Sequence, residues 1–183
     1  MNRINQLFNR KRSNVLSVYF CAGFPQENNI LSTLRALQEN EVDMVEIGIP
    51  FSDPMADGVV IQNASSKALK NGLSVKKIFS QLEDIRKEIN IPLILMGYLN
   101  PIVQYGFREF CESCKKVEID GMIIPDLPFQ EYMQEYREIA QEYNLKIIML
   151  ITPETRQERI RLIDANTDGF VYMVFSASPT GSQ

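Results

Sequence analysis

The sequence predicts an α/β protein built on a parallel β-sheet. Short apolar runs alternate with longer amphipathic segments along the chain, the runs are rich in β-branched and bulky apolar residues, and glycine, proline or asparagine punctuates them. Repeated alternation of this kind is typical of parallel strands joined by helices. We expect the 183 residues to form a single domain, residues 1–183, with a sizeable core.

Six of the apolar runs predict buried strands. In chain order they are Val15–Phe20, Met44–Ile49, Pro92–Met96, Met122–Ile124, Lys146–Ile151 and Gly169–Val174. The segments between them carry apolar residues three or four positions apart, as helices that bury one face do. These segments are the one that contains Ile30, Leu31, Leu34 and Leu37, and Val75–Ile89, Phe107–Val117, Phe129–Tyr143 and Gln157–Ile163.

Two architectures fit this order of elements, an open doubly wound sheet and a (β/α)8 barrel. No GxGxxG follows the first strand and no GxxxxGK[ST] occurs in the sequence, which disfavours dinucleotide and P-loop folds. A full eight-stranded barrel needs about 250 residues. As a barrel, this chain would cover about six βα units, and we would expect a C-terminally truncated domain without the seventh and eighth strands.

Composition excludes several classes of function. The net charge is −4 and no basic stripe occurs, which argues against nucleic acid as a partner. No apolar run approaches the roughly 18 residues of a membrane helix. Three cysteines give no disulfide framework, so we expect a cytoplasmic protein. The chain has no histidine, which excludes histidine triads and histidine-ligated metals and leaves acid–base chemistry to carboxylates, tyrosines, lysines or cysteines.

We expect neither a metal nor an organic cofactor. The one CxxC motif, Cys111 to Cys114, has no second pair beside it, whereas a zinc site needs four ligands. Both cysteines lie on a predicted amphipathic helix, and we interpret them as structural.

Glu46 is the first candidate for chemistry because it lies inside an apolar strand. Burying an ionised carboxylate is costly unless the group is paired or belongs to a site. Glu46 shares its strand face with Met44 and Gly48, and the small glycine would leave room for a ligand. A desolvated glutamate has a raised pKa, which suits a general acid–base at neutral pH. The alternative is a structural glutamate paired with a lysine or arginine, and position alone does not decide between them.

Asp57 is the second candidate, in the loop after the same strand. Loops of this kind form the catalytic face of a (β/α)8 barrel. Taken alone, an aspartate in a loop is more often a turn residue or a helix cap. The functional interpretation gains from Glu46, because two acids in different environments can take different roles.

A long contiguous motif resembles one known family. Residues 46–58, Glu-Ile-Gly-Ile-Pro-Phe-Ser-Asp-Pro-Met-Ala-Asp-Gly, closely resemble the signature of tryptophan synthase alpha chains. Other segments resemble the family in the same order, namely Tyr19–Pro25, Leu95–Pro101, Asp120–Pro128 and the stretch from Gly169 to Gly181. The resemblance covers essentially the whole chain. It implies a (β/α)8 barrel and a lyase that cleaves indole-3-glycerol phosphate to indole and glyceraldehyde 3-phosphate in tryptophan biosynthesis.

The resemblance also implies roles for individual residues. Glu46 resembles the general acid–base that protonates indole C3, and Asp57 resembles the acid that binds the indole N–H and stabilises the developing positive charge. Gly181 falls where the family offers a backbone N–H to the substrate phosphate. The positions that resemble the family's indole pocket are Tyr19, Tyr98, Ile123 and Tyr172. Those that resemble its docking surface for the beta chain, in an alpha–beta heterotetramer, are Pro50, Ser52, Asp53, Pro54, Asn100, Asp126 and Pro128.

The sequence departs from the family pattern at several places. Val59 stands where the family usually has proline, and Phe175 and Pro179 could stiffen or misplace a sixth loop that must close. An end at Gln183 removes the family's last two strands and their phosphate-binding loops, so we expect this chain alone to be inactive. Two other interpretations stay open: a catalytically incompetent docking partner of the beta chain, and another sugar-phosphate barrel enzyme, against which the motif at residues 46–58 argues.

Overall fold

The main sheet follows the order of the chain. The computed structural model describes residues 2–53 and 57–175. The sheet has five parallel strands, each beside its predecessor: β1 Ser17–Cys21, β2 Met44–Gly48, β3 Leu93–Met96, β4 Gly121–Ile123 and β5 Lys146–Ile148. Two short strands, β6 Leu150–Ile151 and β7 Tyr172–Met173, form a second parallel pair. A doubly wound sheet reverses its strand order at a switch point. The uninterrupted order is therefore that of a (β/α) barrel, which decides between the two expected architectures.

Helices fill the intervals between the strands. In chain order they are α1 Arg3–Arg10, α2 Ile30–Glu39, α3 Val59–Lys70, α4 Val75–Leu82, α5 Leu99–Tyr105, α6 Phe107–Lys116, α7 Phe129–Glu131, α8 Arg137–Glu142 and α9 Gln157–Asn166. A 3-10 turn, Ile85–Lys87, ends the segment predicted as one helix to Ile89, and a π-helical turn, Tyr132–Tyr136, joins α7 to α8. None of the helices in the described part of the chain is long and apolar enough to cross a membrane.

The predicted fifth strand, Lys146–Ile151, is divided at Met149. Its first part pairs with β4 and its second part pairs with β7. The amide of Tyr172 donates to the carbonyl oxygen of Met149 at 2.9 Å, at the point where the partner changes. Strands in a barrel are staggered, so one strand meets its two neighbours at different heights. The predicted sixth strand is correspondingly short, with Tyr172 and Met173 in register with Leu150 and Ile151.

The alternation of side chains along the strands divides the apolar core into two clusters. Residues that face outward pack against the helices, and those that face inward fill the interior of the barrel. The outward cluster includes Val45, Ile47, Leu93, Leu95, Met122 and Ile147. The inward cluster includes Met44, Ile94, Ile123 and Ile148 from the strands. Glu46 follows the inward alternation, which brings its carboxylate into the barrel.

Helix α1, which the sequence analysis did not predict, closes one end of that interior. Ile4 and Leu7 are fully buried in the inward cluster. Asn2 caps the helix by accepting a hydrogen bond from the amide of Ile4 at 2.9 Å, and its own side-chain amide donates to the carbonyl oxygen of Asp120 at 2.8 Å. Because Asp120 immediately precedes β4, α1 lies at the N-terminal ends of the strands. The opposite, C-terminal end is left for a site.

Candidate active site

Glu46 lies in the middle of β2 with 3% of its surface exposed. It is in register with Tyr19 on one side and Ile94 on the other. The hydroxyl of Ser17 donates to its Oε1 at 2.9 Å. Within residues 2–53 and 57–175, no lysine or arginine is within ion-pairing distance of this carboxylate, so the pairing expected of a structural glutamate is not observed there. Burial raises the pKa of Glu46, and the hydrogen bond from Ser17 lowers it in part.

The space beside Gly48 is filled by Tyr19, and the expectation that it holds a ligand is wrong in this structure. A Cβ at position 48 would overlap the hydroxyl of Tyr19 and lie 2.6 Å from Cζ of the ring. The glycine thus lets an aromatic side chain lie against the strand that carries Glu46. Burial raises the pKa of Tyr19, and the nearby Cys21, Asp57, Tyr98 and Glu46 raise it further, in that order.

Asp57 is joined to the next loop of the barrel through Tyr98. It is partly buried in a bend before α3. Burial raises the pKa of Asp57, while a hydrogen bond from the Tyr98 side chain lowers it. Tyr98 directly precedes α5, is 7% exposed, and has its ring centroid 5.5 Å from that of Phe51. The loops after β2 and β3 therefore meet around this carboxylate.

The remaining pocket positions lie on the far strands. Ile123 is fully buried on β4, and Tyr172 on β7 packs against the same inward cluster. Burial raises the pKa of Tyr172, and the charge of Glu46 raises it further. The structure thus brings Tyr19, Tyr98 and Tyr172 close to one or both acids, whereas Gly181 lies outside the described residues.

The described positions assigned to partner docking lie at the C-terminal ends of β2, β3 and β4, in the loops that follow β2 and β4 and, for Asn100, in the first turn of α5. Five of them are exposed, namely Ser52, Asp53, Asn100, Asp126 and Pro128. Pro50 is buried, and Pro54 lies outside the described residues. Asp126 also supports the structure, because its Oδ1 accepts a hydrogen bond from the amide of Leu99 at 2.9 Å and so links the loop after β4 to the start of α5.

Two of the three residues that depart from the family pattern are described. Val59 begins α3 and is 67% exposed, and Phe175 is 89% exposed. Pro179 lies outside the described residues. An exposed Val59 at the first position of a helix needs no proline there, because any residue can adopt that conformation.

The cysteines do not supply a reactive thiolate. All three are free and buried. Burial raises the pKa of Cys111 to about 12 and raises that of Cys114 well above its ordinary value. At neutral pH both are thiols, as expected of structural cysteines. In the parts of the chain that the structure covers, no three cysteine, aspartate or glutamate side chains come together as a metal site.

Two contributors to the site, Ser17 and Phe51, were not predicted from the sequence. Ser17 was within a predicted strand but was given no role, although alternation from Tyr19 would have placed both residues on the same face. No signal in the sequence would have revealed the packing of Phe51 against Tyr98, since it depends on two loops meeting in space.

Comparison with known proteins gives a consistent result. The family model described as tryptophan synthase alpha chain matches residues 5–183. The tryptophan synthase alpha chain of Phocaeicola vulgatus is 64% identical over 183 residues, which are all of this chain and 71% of that protein. The crystal structure of tryptophan synthase subunit alpha from Legionella pneumophila has a TM-score of 0.89 at 37% identity, over 95% of this chain and 68% of that one. A chain of the tryptophan synthase complex from Pyrococcus furiosus gives 0.82 at 40% identity, over 87% of this chain and 66% of that one. This chain therefore belongs to the tryptophan synthase alpha chain family, and its sheet is part of that family's (β/α)8 barrel.

Proposed function

We propose that the chain carries out the alpha reaction of tryptophan synthase, the retro-aldol cleavage of indole-3-glycerol phosphate to indole and glyceraldehyde 3-phosphate. The observation that carries this proposal is Glu46, a carboxylate with 3% exposure whose observed hydrogen-bond donor is a neutral hydroxyl. A buried carboxylate without a cation beside it has a raised pKa, and this is the direction that suits a general acid–base.

Glu46 would act first as an acid and then as a base. Its proton goes to C3 of the indole ring, which leaves positive charge on the ring nitrogen. The bond between C3 and the glyceryl chain then breaks, and its electron pair returns to the ring. The hydroxyl on the released carbon loses its proton and becomes the aldehyde, so the protons balance and no oxidant or reductant is consumed. A single residue with a pKa near the working pH suits both transfers.

Asp57 would stabilise the charge that forms on the ring nitrogen. A carboxylate near a developing cation lowers the barrier, most of all in a site that excludes water. Burial raises the pKa of Asp57, and the hydrogen bond from Tyr98 lowers it in part. Asp57 is only partly buried whereas Glu46 is buried, and this difference in exposure suits Glu46 to hold a proton and Asp57 to hold a charge.

The walls of the site suit a flat, largely apolar ring. Tyr19, Tyr98 and Tyr172 present aromatic surface, and Ile123 presents aliphatic surface from β4. Aromatic side chains gain from stacked or edge-to-face contact with another ring system. We assign the phosphate to the backbone N–H of Gly181, as in the resemblance to the family.

We also propose that a tryptophan synthase beta chain docks on the C-terminal face, in an alpha–beta heterotetramer. The exposed residues there, Ser52, Asp53, Asn100, Asp126 and Pro128, would supply the surface, together with Pro54, while the buried Pro50 would shape its loop. The solved relatives include a tryptophan synthase complex from Pyrococcus furiosus. The loop after β2 carries both Asp57 and part of this surface, so docking would act directly on the site.

The test is to incubate indole-3-glycerol phosphate with residues 1–183 and with a version extended to a complete (β/α)8 barrel, with and without a tryptophan synthase beta chain, and to measure both products. From the complete barrel we expect indole and glyceraldehyde 3-phosphate in equal amounts, and a faster rate with the beta chain. From residues 1–183 alone we expect far less of both. Binding to the beta chain without release of indole would instead support a docking partner that does no chemistry. Release of neither product, together with no binding, would overturn both proposals.

A further inference from the structure

Ser17 occupies a distinctive position at the base of the site. It is the first residue of β1 and is in register with Met44, two residues before Glu46 on β2. Its hydroxyl therefore contacts the carboxylate from the side nearer the N-terminal ends of the strands. The distance from Ser17 Oγ to Glu46 Oε1 is 2.9 Å. The two residues lie on neighbouring strands that are paired in register, so the contact does not depend on a loop.

We infer that Ser17 is a positioning residue for Glu46, whose hydroxyl holds the carboxyl group in place through both halves of its proton cycle. The inference rests on the proposed function in so far as Glu46 is the group that cycles. A hydroxyl has one donor and two acceptor lone pairs, and it can rotate to use either. Ser17 can donate to the ionised carboxylate and accept from the protonated acid. A lysine or arginine could only donate, and would hold Glu46 in the charged form.

Two other titratable side chains of the described residues face Glu46, Tyr19 on β1 and Tyr172 on β7, and we do not assign this positioning role to them. The side chain in register on β3 is Ile94. Burial raises the pKa of both phenols, so both stay neutral over the range in which Glu46 titrates. The observed hydrogen bond to Glu46 comes from Ser17. The position and proton affinity of the carboxyl group therefore depend on this serine.

The test uses the full chain and compares Ser17→Thr with Ser17→Val. The two variants have nearly the same shape, and only threonine keeps a hydroxyl. Ser17→Ala serves as a smaller variant, and Ser66→Ala removes an exposed hydroxyl on α3 as a control. The first measurement is the titration of Glu46 by carboxyl 13C NMR, with its signal assigned from Glu46→Gln. The second is the pH profile of kcat for indole formation.

We expect Ser17→Val and Ser17→Ala to lower the acid dissociation constant of Glu46 about tenfold, because a hydrogen bond to a charged group is lost. Ser17→Thr and Ser66→Ala should titrate like the parent. In the activity assay, kcat should fall about tenfold in the valine and alanine variants with little change in KM, and threonine should restore it.

Identical titration of Glu46 in the threonine and valine variants would overturn the inference. If valine fails to fold, as judged by circular dichroism, the alanine and threonine pair decides in the same way. The titration needs no catalysis. A parent chain that releases no indole would therefore count against the proposed function alone, and the titration would still settle the role of Ser17.

Discussion

Two carboxylates of this chain, Glu46 and Asp120, are equally buried but differ in the hydrogen bonds and ion pairs that they receive. Each has 3% of its surface exposed. Asp120 accepts hydrogen bonds from the guanidinium of Arg86 at 2.7 Å and from the amides of Leu93 and Arg3 at 3.0 and 3.2 Å. Glu46, within the described part of the chain, accepts a hydrogen bond from the hydroxyl of Ser17. The free-energy cost of burying a charge is thus offset at Asp120 by these hydrogen bonds and the ion pair, whereas at Glu46 most of it is not offset.

The difference separates the end of the barrel that supports the fold from the region that we propose is reactive. Arg86 also donates to the carbonyl oxygens of Glu118, Ile89 and Ile91, so it ties the segments before β3 and β4 together around Asp120. No comparable network surrounds Glu46 among the described residues. A buried carboxylate whose charge is paired stabilises the fold. A buried carboxylate without a paired charge has a shifted pKa, which is common among groups that transfer protons in active sites.

The largest expected effect is on catalysis at Glu46. Glu46→Gln should reduce indole release by about 10²- to 10⁴-fold, because an amide cannot transfer the proton. The free energy of unfolding should not fall below that of the parent, since glutamine can still accept from Ser17 and carries no charge to desolvate. Steady-state kinetics and urea unfolding measure the two quantities. Glu112→Gln, at an exposed position on α6, is the matched control. Indole release within tenfold of the parent would remove Glu46 from the mechanism.

The same change at Asp120 should act on stability. Asp120→Asn leaves Arg86 buried without its counter-charge, with side chains that are 4% and 9% exposed. Breaking a buried ion pair from one side costs about 3–5 kcal/mol. Urea unfolding should show the loss as a lower midpoint with an unchanged slope. Asp84→Asn, whose ion pair with Lys87 is exposed, should cost little. Equal stability of the two variants would mean that the network around Asp120 does not support the fold.

A smaller effect on catalysis is expected at Asp57. Asp57→Asn should slow indole release about 10- to 100-fold, less than Glu46→Gln, because Asp57 would stabilise a charge without transferring the proton. The amide can still accept from Tyr98, so the two loops should stay joined. Asp164→Asn on the exposed face of α9 is the control. An unchanged kcat in Asp57→Ala would make Asp57 a turn residue only.

The sequence was sufficient to locate the strands, and it failed where packing is decided in three dimensions. Alternation and apolar runs located β1 to β5 because burial of both sheet faces leaves that pattern. A lone glutamate in such a run is conspicuous, so Glu46 stood out. The cations around Asp120 could not be predicted, because Arg3, Arg86 and Asp120 are far apart in the chain. The filling of the space at Gly48 by Tyr19 was likewise hidden, since it depends on the register of β1 and β2.

The smallest expected effect is a pH dependence of the free energy of unfolding that arises from the ionisation of Glu46. Burial raises its pKa in the folded chain above the ordinary value of about 4.3 in the unfolded chain. As pH rises between these two values, the unfolded chain loses the proton while the folded chain keeps it. The free energy of unfolding therefore falls within this window, at up to about 1.4 kcal/mol per pH unit.

Glu46→Gln isolates this contribution from those of opposite sign. Asp43 and Asp168 have lowered pKa values, through hydrogen bonds from Lys11 and Lys146, and their stabilisation is lost as pH falls. Both are present in the variant and in the parent, so they cancel in the difference between them. The stability of Glu46→Gln relative to the parent should rise from acid pH until the folded-state pKa of Glu46 is passed, and then stay level. Urea unfolding from about pH 4 to pH 8 measures this difference. A flat difference would mean that Glu46 ionises as easily in the folded chain as in the unfolded one, and the uncompensated burial that distinguishes it from Asp120 would then have no energetic consequence.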